Sequence, residues 1–293
     1  MKKIFGILAV AALLMAGCEK GGESQVVNPD EIRFETSISR VAGTTFEEGD
    51  TFGLYAVEYN GEEVADLQVS GNYLNNEAVT LANGVWTPAR TLYWSAVPCD
   101  FYAMYPLQNI EAVEDVLFHV ATDQSTPRTA EALGGYEASD LMWAKAEKHS
   151  REDGAVKLAF QHMMSKLVVD IVRGPSYEGE LPEDIEVHIY NTATTARVNW
   201  RIGSLEKYIK SDNKTIKMKQ VDGDSFEAIV VPQFIERSTP LVEVTMEGIA
   251  YLLEYDMSFR PGIQQTITVT LNTSPDQEKI EISIDGEAGE WQE

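Results

Sequence analysis

Apolar and polar residues alternate along most of this chain, and a period of two is typical of half-buried β-strands. The first such stretch covers residues 31–40, where Ile32, Phe34 and Ile38 share one face and mostly polar residues occupy the other. The small residues at 41–45 include a glycine and predict a loop rather than a tight hairpin. We therefore predict a first strand that is joined to the rest of the protein by a loop.

The same alternation continues over the remainder of the chain. Apolar and β-branched segments are separated by the hairpin signals Asn60-Gly61, Asp222-Gly223 and Glu247-Gly248. Sustained helical periodicity is nearly absent, and one helical turn is expected at residues 130–133, inside a loop that carries proline and glycine. The pattern predicts an all-β chain with strands spaced as in a β-sandwich.

The extended run at residues 156–172 bears on domain organisation, because it is too long for one typical strand. A chain of 293 residues that is 44% hydrophobic is long for one sandwich and natural for two. We therefore place a domain junction near Ser165, with an N-terminal sandwich at residues 31–164 and a C-terminal sandwich at residues 165–293.

The start of the chain has the pattern of an export signal. A pair of lysines precedes an apolar run at residues 4–16, which is too short to span a bilayer as a helix. The run ends at Leu14-Met15-Ala16-Gly17-Cys18, which resembles a bacterial lipobox. We predict a signal peptide at residues 1–17, a palmitate-type lipid anchor on Cys18 and a flexible tether at residues 18–30. The alternative is an ordinary cleaved signal whose cysteine is incidental.

Charge and cysteine content narrow the possible partners. The chain has 23 basic and 47 acidic residues and a net charge of -24, so nucleic acid is excluded as an expected partner. The acidity agrees with a repulsive, solvated surface that keeps an exported protein soluble.

Cys99 is the one cysteine besides Cys18, so we expect no intrachain disulfide once Cys18 carries lipid.

No residue pattern in the chain points to catalysis. The four histidines are far apart and lack metal-ligand spacing, and no nucleophile elbow or phosphate-binding glycine loop occurs. We expect no metal, no cofactor and no enzymatic activity. The aromatic residues suggest either a sugar-stacking platform or core packing, and their alternation within strands favours the core: Tyr93, Trp94, Phe101, Tyr102, Trp143 and Trp200.

Seven short motifs between residues 32 and 271 occur in an order that resembles the fimbrillin family, whose members are lipoprotein precursors of type V pili in Bacteroidia-type bacteria. The motifs are Gly49-Asp50-Thr51-Phe52-Gly53-Leu54-Tyr55, Tyr93-Trp94, Asp100-Phe101-Tyr102-Ala103-Met104-Tyr105-Pro106, Asp123-Gln124-Ser125, Ser139-Asp140-Leu141-Met142-Trp143-Ala144, Phe160-Gln161-His162-Met163-Met164-Ser165-Lys166-Leu167 and Val230-Val231-Pro232-Gln233.

The resemblance implies two tandem transthyretin-like β-sandwiches and removal of the first strand by a trypsin-like, arginine-specific protease. A neighbouring subunit's C-terminal segment then fills the vacated groove. Arg40 stands where the maturation arginine is expected, and the removable strand is the one that carries Ile32, Phe34 and Ile38. The alternative for Arg40 is the solvent-facing end of an edge strand. Arg33 is a poorer cleavage site because it lies inside the strand.

The C-terminal tail contains the natural candidate for a donor strand. Ile280, Ile282 and Ile284 alternate with polar residues, in the same period as the first strand, and Trp291 follows as a possible anchor. The alternative is that these residues form the last strand of their own C-terminal domain, and both roles are compatible in an uncut precursor.

These features predict a pilus subunit, with a lipid-anchored precursor at the outer membrane and a mature form in the extracellular fimbrium. Its expected partners are other pilus subunits by strand addition, the protease and the membrane, and its expected role is cell adhesion. The rival is a monomeric, lipid-anchored surface module that binds glycan or protein, and a secreted hydrolase comes third. The sequence leaves open whether a pilus subunit would belong to the shaft, the tip or the anchor.

Overall fold

The computed structural model describes residues 28–38, residues 46–272 and the backbone of residues 282–290. In this part of the chain, strands and their turns account for nearly all regular structure, which confirms the predicted all-β class. The helical elements are a short α1 (Gly135–Ser139) and a 3-10 turn (Arg151–Asp153). None of the described helices is long and apolar enough to cross a membrane.

The strands follow in chain order. The first eleven are β1 (Phe34–Ile38), β2 (Thr51–Asn60), β3 (Glu63–Val64), β4 (Leu74–Ala82), β5 (Val85–Pro88), β6 (Cys99–Tyr105), β7 (Val116–His119), β8 (Met142–His149), β9 (Val156–His162), β10 (Ser165–Arg173) and β11 (Glu186–Ala193). The others are β12 (Thr195–Asn199), β13 (Ser204–Lys207), β14 (Asn213–Lys217), β15 (Lys219–Asp222), β16 (Ser225–Val230), β17 (Phe234–Ile235), β18 (Pro240–Met246), β19 (Ile249–Glu254), β20 (Met257–Ser258), β21 (Ile263–Leu271) and β22 (Ile282–Glu290).

An eight-stranded sheet, here the first sheet, has the order β1-β9-β8-β6-β2-β4-β5, with β3 paired to β2. One face of this sheet buries the N-terminal core, because alternate residues of each strand point to the same side. The N-terminal core consists of Ile32, Phe34, Phe52, Leu54, Ala56, Leu74, Val79, Leu92, Cys99, Phe101, Ala103, Tyr105, Met142, Ala144, Val156, Leu158 and Phe160.

The remaining strands form two larger and two small sheets. The second sheet has the order β15-β16-β10-β21-β22, and the third sheet has the order β14-β11-β18-β19. The small sheets are β13-β12-β7 and β17-β20. In the second sheet, β10 pairs in parallel with β21, and β21 pairs antiparallel with β22.

A larger core unites residues from both sides of Ser165. Tyr55 of β2 and Tyr102 of β6 belong to it, on the face opposite the N-terminal core, and they join residues such as Val169 and Trp200. The centres of β2 and β6 are therefore buried on both faces. Strand β7 also crosses between the halves, since it pairs with β12. The division into two sandwiches at residues 164 and 165 stays a prediction.

Two local predictions can be compared with the strands. The run at 156–172 is divided, because β9 ends at His162 and β10 begins at Ser165. The helical turn expected at residues 130–133 is instead at Gly135–Ser139. The helix can begin at Gly135 because glycine has no side chain. A Cβ atom there would lie 2.1 Å from the carbonyl oxygen of Asp123. The Ser139 hydroxyl then donates a hydrogen bond of 2.6 Å to the Gly135 carbonyl.

Candidate functional site

Strand β1 forms one edge of the first sheet and pairs in parallel with β9. The register runs from Phe34 opposite Val156 to Ile38 opposite Phe160, so five consecutive residues of β1 are aligned with β9. The Val156 N–H also donates a hydrogen bond of 2.8 Å to the Arg33 carbonyl. Arg33 thus lies in a backbone segment that is paired in the sheet. A paired backbone cannot enter the cleft of a protease.

The residues before β1 are held by a second segment of the chain. The Ile32 N–H donates to the Leu92 carbonyl at 2.9 Å, and the Trp94 N–H donates to the Asp30 carbonyl at 3.1 Å. Asp30 is also 2.5 Å from the Arg151 guanidinium. Residues 30–38 are therefore hydrogen-bonded to two stretches of the chain, which are β9 and residues 92–94.

Apolar side chains of residues 32–38 pack into the N-terminal core. Ile32 is 4% exposed and Phe34 is 9% exposed, whereas Ile38 is only partly buried. The Phe34 ring lies edge-on to Phe52 at a centroid distance of 6.2 Å. At about 1.5 to 3 kcal/mol for each fully buried large apolar side chain, the two buried residues are a substantial part of what holds β1.

The far edge of the same sheet approaches β1. Strand β5 is the last strand of the first sheet, yet the Trp86 indole N–H donates a hydrogen bond of 2.8 Å to the Thr36 hydroxyl. Trp86 also packs against Phe52, with ring centroids 4.8 Å apart. The sheet therefore curls until its two edges meet across the N-terminal core, and β1 closes the opening between β9 and β5.

A cavity of about 380 Å³ lies beside the end of β1. Ile38 and Phe46 line it on either side of residues 39–45, together with a buried polar cluster. In that cluster Asp50 is 2.7 Å from the Arg128 guanidinium and accepts a hydrogen bond of 3.0 Å from the Tyr105 hydroxyl. Burial raises the pKa of Tyr105, and the neighbouring Asp50 charge raises it further.

The other wall of the cavity comes from the region around Ser165. Lys166 is 2.8 Å from Glu227, which also accepts a hydrogen bond of 3.0 Å from the Tyr136 hydroxyl. Nearby, the His162 Nδ1 atom is 2.8 Å from the Asp140 carboxylate, so this histidine is buried with a partner, as expected for a core position. The end of β1 thus lies where the first sheet meets the second.

The site has the geometry of a groove that is filled by a short strand. The charged groups of the cavity are engaged in ion pairs, and the described residues contain no cluster of three or more histidine, cysteine or acidic residues suited to a metal ion. The groove is lined by β9 and the N-terminal core, and the apolar face of β1 fills it. Such a groove binds an extended peptide by main-chain hydrogen bonds and side-chain pockets.

The aromatic residues named from the sequence are mainly core residues. Phe101, Tyr102 and Trp200 are buried, and the Trp143 indole N–H donates 2.8 Å to the Trp200 carbonyl. Tyr93 is exposed, and partly buried Trp94 stacks on His149 at 5.9 Å. The six rings therefore do not form one continuous platform.

Several predicted site residues lie outside the described residues: Cys18, Arg40, Ile280 and Trp291. Residues Ile282 and Ile284 belong to β22, where their backbones are in register with Leu271 and Val269 of the same chain. In this structure the tail thus forms the last strand of its own second sheet, which is the alternative that the sequence left open.

Comparison with known proteins identifies the family. The fimbrillin-like family matches residues 39–291. The chain belongs to the fimbrillin-like family. The comparison with curated proteins returned no match.

Solved structures share the fold of this fimbrillin-like chain. A proposed cell adhesion protein from Bacteroides uniformis has 24% identity and a TM-score of 0.64, over 88% of this chain and 97% of that chain. A second one, from Bacteroides ovatus, has 15% identity and a TM-score of 0.65, over 90% and 98%. A fimbrial protein from Bacteroides ovatus has 18% identity and a TM-score of 0.53, over 85% and 51%.

Sequence reasoning did not find three features of the site in this fimbrillin-like chain. These are the parallel pairing of β1 with β9, the hydrogen bond from Trp86 to Thr36 and the Asp50–Arg128 ion pair. Each of these contacts joins residues that are far apart in sequence, so no local sequence pattern predicts it. The one available signal was the acidic Asp50 directly before an apolar strand.

Proposed function

We propose that this fimbrillin-like chain is a pilus subunit that is exported as a lipoprotein and assembled by exchange of its first strand. Membership of the fimbrillin-like family supports the pilus role, and solved relatives are described as fimbrial or proposed cell adhesion proteins. The family is one of structural surface proteins, so the proposal assigns the chain a structural role and no reaction.

The position of β1 is the observation that carries the proposal. This strand is short, lies at a sheet edge and is bonded in register to β9 alone within its sheet. Its buried side chains occupy a groove that would expose Phe52, Val156 and Phe160 if β1 left. An exposed apolar groove next to an unpaired edge favours pairing with another strand.

Arg40 is proposed as the cleavage site, because it follows the end of β1 at Ile38 by two residues. A cut there would separate β1 from everything after it. The pairing with β9, the contacts at residues 92–94, the Trp86 hydrogen bond, the Asp30–Arg151 ion pair and the buried Ile32 and Phe34 side chains would then retain the strand. These are non-covalent contacts, which a competing strand can replace.

The donor is proposed to be the C-terminal tail of a second subunit. Ile280, Ile282 and Ile284 reproduce the period of Ile32, Phe34 and Thr36, and Trp291 is the proposed anchor. In its own chain β22 is an edge strand of the second sheet, paired on one side to β21. An edge strand can leave without breaking a ladder between other strands.

Acylation of Cys18 is proposed to hold the precursor on the outer membrane, with residues 18–30 as the tether. A lipid anchor adds about 0.8 kcal/mol for each buried methylene group. Replacing Cys18 by alanine should therefore move the protein from the membrane fraction to the soluble fraction or leave an unprocessed precursor. An unchanged membrane fraction for this variant would contradict the lipoprotein proposal.

Proteolysis of the purified full chain tests strand exchange. A trypsin-like protease should cut after Arg40, release β1 and produce a ladder of oligomers. Arg40→Gln should abolish both the cut and the ladder, whereas the matched control Arg33→Gln should leave both in place, because Arg33 lies in a paired segment. A cut at Arg40 that leaves a stable monomer would refute strand exchange and favour the monomeric binding module.

A peptide experiment identifies the donor. The cut chain should capture a synthetic peptide that covers residues 278–293. A second peptide with aspartate in place of Ile282 and Ile284 should fail to bind, because unpaired charges in an apolar groove cost several kcal/mol. Equal binding of both peptides would refute the donor assignment and leave the cleavage result unaffected.

A further inference from the structure

The outer edge of β19 is a second place where this protein can receive a strand. Strand β19 ends the third sheet and pairs with β18 through residues 249–254. In the described part of the chain, no backbone hydrogen bond is made along its other side. The exposed edge spans the six residues of β19, because β20 pairs with β17 and Phe259 exchanges backbone hydrogen bonds with Gln233.

The side chains along this edge are apolar. Ile249 is 49% exposed and Leu252 is 55% exposed, whereas Tyr251 and Leu253 are half-buried and pack against the larger core. Residues 248–253 carry no charge. An uncharged, β-prone edge strand is a template for pairing with another strand.

Other edge strands of this protein carry the devices that prevent such pairing. Lysine, mixed charges, proline and very short length all discourage the approach of a second strand. In the described sheets these devices are Lys214 and Lys217 in β14, Lys219 and Asp222 in β15, Glu206 and Lys207 in β13, and Pro88 in β5. Strand β19 has no such device between Ile249 and Leu253, and at six residues it is longer than the uncharged edge strand β7.

We propose that β19 pairs with β19 of a second copy of this chain, antiparallel and centred on Leu252. A two-fold axis at Leu252 pairs residues 250–254 of the two copies, which all lie within β19. Tyr251 then lies opposite Leu253 of the second copy, and Leu252 lies opposite its own counterpart. Aromatic and aliphatic side chains on one face are favourable cross-strand pairs.

Avoidance of like-charge contacts favours this arrangement. In the antiparallel pairing Glu254 lies opposite Ala250 of the second copy, so no acidic residue of β19 meets another. A parallel, in-register pairing would instead place Glu254 beside its own counterpart, and like charges directly opposite are destabilising. The even register also keeps the half-buried row of both copies on the same face of the joined sheet.

The contact differs in kind from strand exchange. A two-fold interface is closed and stops at two copies, whereas head-to-tail exchange continues into a fibre. The uncut chain should form the β19 contact, because β1 and β19 belong to different sheets. Failure of the β19 pairing would therefore not contradict the proposed function. Failure of strand exchange would likewise not contradict the β19 pairing.

Sedimentation of the uncut full chain in a non-ionic detergent tests the pairing. The chain should show a reversible monomer–dimer equilibrium that salt strengthens, because the net charge of -24 makes the copies repel each other. Leu252→Lys should raise the dissociation constant by roughly 100-fold, since it places two lysines opposite each other across the axis.

The matched control is Val221→Lys. Val221 is 47% exposed and lies in edge strand β15, so the substitution introduces the same charge at a similar position of a different edge. This variant should dimerise like the parent chain. A parent chain that stays monomeric, or equal effects of the two lysines, would overturn the proposal.

Cross-linking tests the register itself. Directly opposite residues of antiparallel strands have Cβ atoms about 4.5 to 5.5 Å apart, so an approach of about 1 Å brings them to the Cβ spacing of a disulfide. Leu252→Cys should therefore give a disulfide-linked dimer under mild oxidation, and Val221→Cys should not. A dimer that resists cross-linking through Leu252→Cys would refute the centred pairing.

Discussion

At the scale of single residues, Gly203 lies so close to the Trp143 ring that no side chain fits there. This residue joins β12 to β13 with φ of 62°, and a Cβ atom there would lie 2.4 Å from the Trp143 ring. Trp143 in turn donates its indole N–H to the Trp200 carbonyl. Gly203 therefore allows the β12–β13 hairpin to lie directly on a ring from the first sheet.

Replacing Gly203 by alanine should lower the free energy of unfolding by about 3 kcal/mol, because left-handed backbone strain and overpacking act together. The matched control is Gly61→Ala, whose φ is 69° but whose Cβ would have nothing within 4 Å. The control should lose only about 1 kcal/mol. Urea denaturation measures both, and equal losses would show that Trp143 yields to the methyl group.

At the scale of elements, the turns set which strands become neighbours. Glu247 and Gly248 have φ of 50° and 75°, so they form a two-residue turn with both residues left-handed, the type that suits a tight hairpin. The Glu247 N–H also donates to the Asp184 carboxylate, at 3.0 Å to one oxygen. This turn fixes β19 beside β18 and so leaves the outer edge of β19 exposed.

Glu247→Asn should stabilise the protein by about 0.5 kcal/mol, since asparagine tolerates the left-handed region better than glutamate. Glu247→Val should destabilise it by about 1 kcal/mol, because a β-branched residue tolerates that region poorly. Thermal and urea unfolding of both variants give the comparison. A loss of stability in the asparagine variant would mean that the glutamate side chain itself contributes to the turn.

At the scale of the whole molecule, polar contacts attach α1, which directly precedes β8 of the first sheet, to the second sheet. Glu227 of β16 pairs with Lys166 and accepts a hydrogen bond from Tyr136 of α1. Lys219 is 2.5 Å from Glu137 of the same helix, and its ammonium group lies 4.9 Å from the centre of the Tyr136 ring. The short helix is thereby fixed on β16, next to the end of β1.

Glu227→Gln should cost about 3 kcal/mol, because it leaves the Lys166 ammonium group, whose side chain is 3% exposed, buried without its carboxylate. Adding Lys166→Met to this variant should recover most of the loss, since no charge then remains buried. Urea unfolding of the two single variants and the double variant completes the cycle. Additive losses would show that the two side chains do not interact.

The sequence by itself determined the local structure of this protein. Alternation placed Ile32 and Phe34 on one face of a strand, and turn residues such as Glu247-Gly248 marked the ends of hairpins. These predictions succeed because strand periodicity and turn conformation depend on neighbours along the chain. The motifs that resemble fimbrillins likewise required no knowledge of contacts, and the family comparison confirms that resemblance.

The tertiary structure alone decided which strands meet. A period of two states which side chains share a face but not which strand lies alongside, because every strand presents the same backbone donors and acceptors. The pairing of β1 with β9, the crossing of β7 to β12 and the exposed edge of β19 therefore follow from packing between distant residues. Those pairings place the first strand in a closed groove and leave the edge of β19 free, because contacts between distant residues set which edges are covered.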